Sequence, residues 1–213
     1  MTTDPAEIPA TVPPDGFRLV PGYLGAADQA ALLTDIRALV RAAPLFQPVM
    51  PRSGRPLSVR MTNAGPLGWV ADRSGYRYQP AHPATGRPWP GIPDRLLAAW
   101  ADLAGWHGPP ECCLVNFYHG AGARMGLHRD EDEDEMTAPV VSLSLGDTAV
   151  FRIGGPTRRG PTCSVRLASG DAVVLGGAAR AAYHGIDRVL AGTSTLLDGG
   201  GRINLTLRRV TRA

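Results

Sequence analysis

The 213-residue sequence predicts a mainly β fold with flanking helices, an α+β antiparallel sandwich or barrel. Three observations point there. From Cys112 onward, short apolar stretches alternate with glycine-bearing turns. Upstream of them, two segments carry apolar residues at helical spacing. Gly (26) and Pro (20) are abundant, which favours many short elements over a few long helices.

Residues 1–16 carry four prolines and no basic residue. A signal peptide needs a basic start and an apolar centre, so this stretch is expected to be a disordered leader. The remainder, 17–213, is read as a single domain. Residues 17–24 suggest a short strand entering a turn. Residues 26–43 suggest a helix, with Leu32, Leu33, Ile36, Leu39 and Val40 on one face and Arg37 and Arg41 toward solvent. Residues 44–93 differ. They are rich in Pro, Gly and Arg, with Trp69, Tyr76, Tyr78 and Trp89 interleaved, and show no long apolar periodicity. So long a stretch without strong elements is usually functional or flexible.

A second helix is expected over 94–106, burying Leu96, Leu97, Trp100 and Leu103. Trp106 is read as helix packing too, and Trp89, between prolines, as structural. The strand candidates are 112–118, 139–145, 149–153, 164–167, 172–175, 182–186 and 202–210.

Net charge is only +3, but residues 130–135 are six consecutive acids and the rest of the chain is strongly basic. Its positive charge is carried by arginine, which pairs with phosphate bidentately. That suits a nucleic-acid partner; an arginine-rich proteome explains it equally well. The three cysteines, Cys112, Cys113 and Cys163, form no disulfide framework and have no zinc spacing. With reduced thiols and no export signal, a cytoplasmic protein is expected. No apolar run approaches the roughly 20 residues of a membrane span.

The chemistry begins at His128-Arg129-Asp130. Residues two apart on an extended chain point the same way, so imidazole and carboxylate can converge. His184, in Tyr183-His184-Gly185, is the best third ligand. Two His and one carboxylate leave positions open on a metal, as non-haem Fe(II) oxygenases require. An H-x-D pair alone is weak; a surface His beside an acidic loop reads the same way. The last strand sharpens the reading. Arg202, Asn204, Thr206 and Arg208 alternate with Ile203, Leu205 and Leu207. The ordinary explanation is a half-exposed strand with solvent on its polar face; in a barrel whose apolar face packs on helices, the polar face would instead point inward. An inward arginine then needs an anion, since an unpaired buried charge is costly, and a dicarboxylic co-substrate would supply one.

Asn116-x-Tyr118, His128-x-Asp130, His184 and Arg202-x-Asn204-x-Thr206-x-Arg208, in this order, resemble the AlkB family of 2-oxoglutarate dioxygenases. Met61-Thr62-Asn63, Leu67-Gly68-Trp69, Gly75-Tyr76, Pro88-Trp89-Pro90, Gly170-Asp171 and Tyr183-His184-Gly185-Ile186 extend the similarity from about residue 17 to the end. The resemblance implies a double-stranded β-helix, or jelly roll, with its core over 112–210 and 44–93 as a nucleotide-recognition lid. It implies that His128, Asp130 and His184 bind Fe(II). Arg202 would clamp the far carboxylate of 2-oxoglutarate, with Asn116, Tyr118, Asn204 and Arg208 around it. Trp69 would stack on a methylated base, with His128 on its other face and Asp132 near the exocyclic amine. Tyr76 and Arg158 would touch phosphate or base. The implied activity is oxidative demethylation of 1-methyladenine and 3-methylcytosine in DNA, with RNA a second candidate. Separately, nothing in the sequence predicts an oligomer, so a monomer with no membrane partner is expected.

Other residues are read plainly. Glu131, Glu133, Asp134 and Glu135 are expected to form a solvated loop. His82, His107 and His119 are read as loop or surface residues. Leu175 stands where relatives often carry an aromatic. Asp198-Gly199-Gly200-Gly201 makes a flexible approach to Arg202. Two other readings stay open: a 2-oxoglutarate oxygenase of a small molecule or protein, and a non-catalytic, cupin-like metal- or nucleic-acid-binding module.

Overall fold

The computed structural model describes residues 12–120 and 122–212. Twelve strands are present among them: β1 (Phe17–Val20), β2 (Arg60–Ala64), β3 (Gly68–Asp72), β4 (Gly75–Gln79), β5 (Cys112–Tyr118), β6 (Met125–His128), β7 (Val140–Gly146), β8 (Thr148–Gly154), β9 (Thr162–Leu167), β10 (Ala172–Leu175), β11 (His184–Leu190) and β12 (Arg202–Arg208). Helix α1 spans Ala26–Ala42 and α2 spans Asp94–Leu103. A short 3-10 turn covers Gly177–Ala181. No helix among the described residues is long and apolar enough to cross a membrane.

The strands form a six-stranded sheet in the order β1-β10-β7-β12-β5-β2, a four-stranded sheet β6-β11-β8-β9, and the hairpin β3-β4. Every pairing is antiparallel. The two larger sheets face each other as a jelly roll.

Alternation along the strands builds the layers. On β12, Ile203, Leu205 and Leu207 pack with Leu32, Ile36 and Leu96 of the two helices. Leu143 and Leu145 of β7 and Val115 of β5 join them. The opposite face of the same strands looks into the sandwich, where Leu114 and Val140 meet Phe151, Ile153 and Ile186 of the smaller sheet. Of the two directions open to the polar face of β12, the fold therefore produces the inward one.

Segment 44–93 holds more structure than its sequence suggests. It contains β2, β3 and β4, and β2 is an edge strand of the large sheet, paired with β5. Its Thr62 and Asn63 are buried polar residues. The Thr62 hydroxyl donates to Ala43 O at 2.9 Å, and the Asn63 side chain bonds the Trp69 backbone. Buried polar groups satisfied in this way leave no apolar alternation to read. The four-residue β6 was also not legible. The strand expected over 182–186 begins only at His184.

His82 lies in a loop, as expected, but not at the surface. It is buried, with Nε2 2.7 Å from Pro44 O and Nδ1 accepting from the Ala84 and Thr85 amides. Trp89 and Phe46 pack around it. Of the expected leader, residues 1–11 lie outside the described residues. Asp15 and Gly16 are tied to the end of β10 and the 3-10 turn by Ala179 N to Asp15 O and Gly176 N to Gly16 O.

Candidate metal centre and cavity

His128 ends β6 and His184 begins β11, and the two are paired across the strands. Close approach of those strands requires Gly185. A Cβ there would lie 2.5 Å from Met125 O and 2.8 Å from Gly126 O. The imidazole centroids stand 4.6 Å apart. Asp130, two residues past His128, completes the group. His128 Nε2 is 3.8 Å from Asp130 Oδ1, and His184 Nε2 is 3.8 Å from Asp130 Oδ2. One ligand atom from each of the three residues lies within 4.8 Å of the others.

Backbone carbonyls select the tautomers. His128 Nδ1 lies 2.9 Å from Gly126 O, and His184 Nδ1 lies 3.0 Å from Ala182 O. A carbonyl only accepts, so each Nδ1 carries the proton and each Nε2 lone pair is left toward the centre. Burial, with His128 acting in the same sense, pushes the His184 imidazole down to about 4. It is therefore neutral near pH 7, as a ligand must be. Burial works against the Asp130 charge, but Arg208, His184 and His128 outweigh it and hold the carboxyl well below the usual range.

Behind the centre lies a buried ionic network that sequence reading missed. Arg208 Nη2 is 2.9 Å from Asp130 Oδ2, and Arg208 Nε is 3.3 Å from Glu133 Oε1. Neither Asp130 Oδ2 nor Arg208 Nε is aligned for a hydrogen bond, despite these distances. Arg180 donates to Glu133 Oε2 at 3.1 Å, to Asp130 O at 2.8 Å and to Ala138 O at 3.0 Å. The Tyr78 hydroxyl, on β4, donates to Glu133. Glu133 is thus buried between two arginines, which corrects its reading as part of a solvated loop. Glu131 and Asp134 are exposed as expected, and Glu135 is half-buried.

The centre opens into a cavity of about 490 Å³. His128, Asp130, His184, Asn116, Tyr118, Asn204 and Arg208 line it, as do Trp69, Tyr76, Asp132 and Arg158 toward the surface. Arg202 is the one expected site residue that does not. It sits in the wall behind Tyr118 and Leu167, 0% exposed. Its Nη2 donates to Ser144 Oγ at 2.7 Å, and its Nη1 to Leu167 O at 3.2 Å and Asp147 O at 3.4 Å. All three acceptors are neutral. Burial pushes its guanidinium down to about 10, which still leaves a cation at neutral pH.

Near the mouth, Trp69 donates Nε1–H to Asp132 Oδ2 at 2.8 Å. Tyr76 stacks on Trp69, with centroids 5.6 Å apart and planes 16° from parallel. Asn63 holds the Trp69 backbone through two hydrogen bonds of 3.0 Å each, to its N–H and its C=O. The Met61-Thr62-Asn63 motif was the only signal for that residue.

The donors suit Fe(II) and a dicarboxylate. Two free imidazole nitrogens and a carboxylate on one face leave coordination positions open. Arg202 Nε is a buried donor without a partner; an unpartnered buried polar atom is rare without a ligand to meet it, and a carboxylate oxygen can accept from this one. A jelly roll carrying a His-Asp-His face beside buried arginines defines an Fe(II)- and 2-oxoglutarate-dependent dioxygenase.

The sequence matches the 2OG-Fe(II) oxygenase superfamily over residues 16–208. It is 54% identical to an alpha-ketoglutarate-dependent dioxygenase AlkB homolog of Caulobacter vibrioides, over 96% of this chain and 92% of that one. It is 43% identical to alpha-ketoglutarate-dependent dioxygenase AlkB of Escherichia coli, over 86% and 85% of the two chains. A DNA N(6)-methyladenine demethylase of Arabidopsis thaliana is 31% identical over 93% of this chain and 49% of its own. Among solved structures, OsALKBH1 superposes with a TM-score of 0.77 at 30% identity, over 94% of this chain and all of that one. This chain belongs to the AlkB family of Fe(II)/2-oxoglutarate dioxygenases.

Proposed function

We propose that the enzyme removes methyl groups from alkylated bases, 1-methyladenine and 3-methylcytosine, in DNA, with RNA as a second substrate. The observation that carries this reading is Trp69. Its indole lines the cavity that holds the His-Asp-His centre, and it is joined to Asp132. An aromatic face can stack on a base, contributing about 1–3 kcal/mol. A base methylated at a pairing nitrogen is cationic, so the Asp132 carboxylate favours it over the neutral normal base. The methyl group also blocks pairing, which lowers the cost of extruding the base.

In this reading His128, Asp130 and His184 hold Fe(II). Arg202 takes the far carboxylate of 2-oxoglutarate, and Asn116, Tyr118, Asn204 and Arg208 surround the co-substrate. Fe(II), with 2-oxoglutarate and O₂, supplies the oxidation of the methyl C–H bond. The protein's part is to hold the methyl group at the centre and to exclude water from it. The hydroxymethyl base then sheds formaldehyde, and succinate and CO₂ leave. Segment 44–93, with the β3-β4 hairpin at its middle, acts as the nucleotide lid. Tyr76 and Arg158 contact substrate phosphate or base, and His128 closes the pocket opposite Trp69. The enzyme works as a monomer in the cytoplasm.

The test is an Fe(II)-loaded assay on a short oligonucleotide carrying one 3-methylcytosine, with mass spectrometry following the methyl group and succinate. Coupled loss of methyl and gain of succinate is expected. Succinate without demethylation would transfer the enzyme to a small-molecule or protein substrate. Neither product, from folded and metal-bound protein, would favour a non-catalytic module.

A further inference from the structure

The loop between β11 and β12 leads directly into Arg202 and contains no helix or strand. Its Gly199-Gly200-Gly201 run suggests a loose approach. One buried carboxylate makes it a fixed one. Asp147, in the turn between β7 and β8, is 2% exposed. Its Oδ1 accepts from Thr193 N at 2.9 Å and Ser194 N at 3.1 Å, and its Oδ2 accepts from Gly201 N at 2.9 Å. Three amide donors can satisfy a buried carboxylate. The Asp147 amide in turn donates to Gly201 O at 2.7 Å. One residue therefore grips the peptide groups on both sides of Gly201.

The seat is tight. Gly201 has φ +91°, and a Cβ there would lie 2.6 Å from Tyr118 O. The Asp147 carbonyl is itself one of the three neutral acceptors that place the Arg202 guanidinium. The side chain fixes the loop into Arg202, while the main chain fixes the guanidinium end. A bidentate arginine–carboxylate pair depends on both distance and angle, so a small displacement of Arg202 costs affinity for a carboxylate and little else.

We propose that Asp147 is a positioning residue for the co-substrate: by pinning residues 193–201 it sets the depth and angle of Arg202, and with them the affinity for the distal carboxylate of 2-oxoglutarate. The inference rests on Arg202 being that carboxylate's clamp.

The experiment compares wild type, Asp147→Ala, Asp147→Asn, Arg202→Ala and the Asp147→Ala/Arg202→Ala double variant. Each is loaded with Mn(II) without O₂, and calorimetry gives Kd for 2-oxoglutarate and for 2-oxobutyrate, which lacks the distal carboxylate. Asp147→Ala should weaken 2-oxoglutarate binding about tenfold and leave Mn(II) and 2-oxobutyrate binding unchanged. Asp147→Asn should fall between, because its amide oxygen still accepts from Thr193 and Ser194 but its NH₂ cannot accept from Gly201. In the Arg202→Ala background the Asp147 change should add little, the mark of two residues acting through one contact.

A lowered melting temperature with unchanged 2-oxoglutarate Kd would make Asp147 merely structural and overturn the proposal. So would equal losses for the two keto acids, or full additivity with Arg202→Ala. The underlying reading fails separately, when Arg202→Ala itself leaves 2-oxoglutarate binding intact. Should Asp147→Ala not fold, Asp147→Asn carries the same comparisons.

Discussion

Replacing Glu133 with alanine should destabilise the protein by about 3 kcal/mol, the lower end of the 3–5 kcal/mol typical of breaking a buried ion pair. The Glu133 side chain is 1% exposed and faces two arginines that are themselves buried. Among the described residues, Glu133 is the only carboxylate within ion-pair distance of Arg180. Removing it leaves that charge with only the Asp130 and Ala138 carbonyls. Arg208 keeps Asp130 at 2.9 Å, which places the loss at the lower end. For a chain of this length each kcal/mol moves the melting temperature by about 2–4 °C, so a fall of about 6–12 °C is expected. Glu131→Ala, on the exposed part of the same acidic run, should be neutral and serves as the control. Urea denaturation with matched m-values gives the free energy. Adding Arg180→Leu to Glu133→Ala should recover part of the loss, because it removes the orphaned charge. A Glu133→Ala protein within about 1 kcal/mol of wild type would refute the reasoning and return the residue to the solvated loop.

Other outcomes follow from the same geometry. His128→Ala should abolish turnover and lower metal occupancy measured by mass spectrometry; normal turnover would remove His128 from the metal centre. Asn63→Ala leaves the Trp69 N–H and C=O without their side-chain partners. It should cost about 1–3 kcal/mol in stability and weaken oligonucleotide binding while sparing 2-oxoglutarate binding, read by calorimetry. Glu111 ties down the C-terminal residues, accepting from Val210 N at 2.9 Å, Thr211 N at 2.7 Å and the Thr211 hydroxyl at 2.6 Å. Burial raises its carboxyl, but the Thr211 and Val210 hydrogen bonds and Arg209 outweigh that and hold it below the usual glutamate range. A depressed carboxylate stabilises above its unfolded value, and the contribution is lost as pH falls through the folded one. Glu111→Gln should therefore flatten the acid side of the stability–pH curve and leave the alkaline side unchanged; an unaltered acid slope would show that Glu111 is not a source of it.

How much could be read in advance depended on how local each signal was. β5 and β10 fall on the residues their apolar runs suggest. Alternation separated the two faces of β12, but only the packing of Ile203, Leu205 and Leu207 against the helices turned the polar face inward rather than to solvent. His128 and Asp130 were legible because two residues on an extended chain share a side. β2 was not, because it is buried through Thr62 and Asn63, whose partners lie at Ala43 and Trp69. His82 misled for a related reason: its burial is bought by hydrogen bonds to Pro44, Ala84 and Thr85, and no pattern of side-chain types announces those.

By itself, then, the sequence determined the strand-rich class, the two helices, the His-Asp pair and the alternating polar and apolar faces of the last strand. Each rests on a period of two or of 3.6 residues, which the covalent chain imposes wherever it goes. Only the tertiary structure decided which acid of the run 130–135 is buried, because Glu133 meets Arg180, Tyr78 and Arg208 from distant parts of the chain. Only it decided that Arg202 lies in the cavity wall rather than on its surface, and that Asp147 holds the loop leading to it. Charge and hydrogen-bond partners are chosen by proximity in space, and proximity between residues far apart in sequence exists only once the sheets have closed.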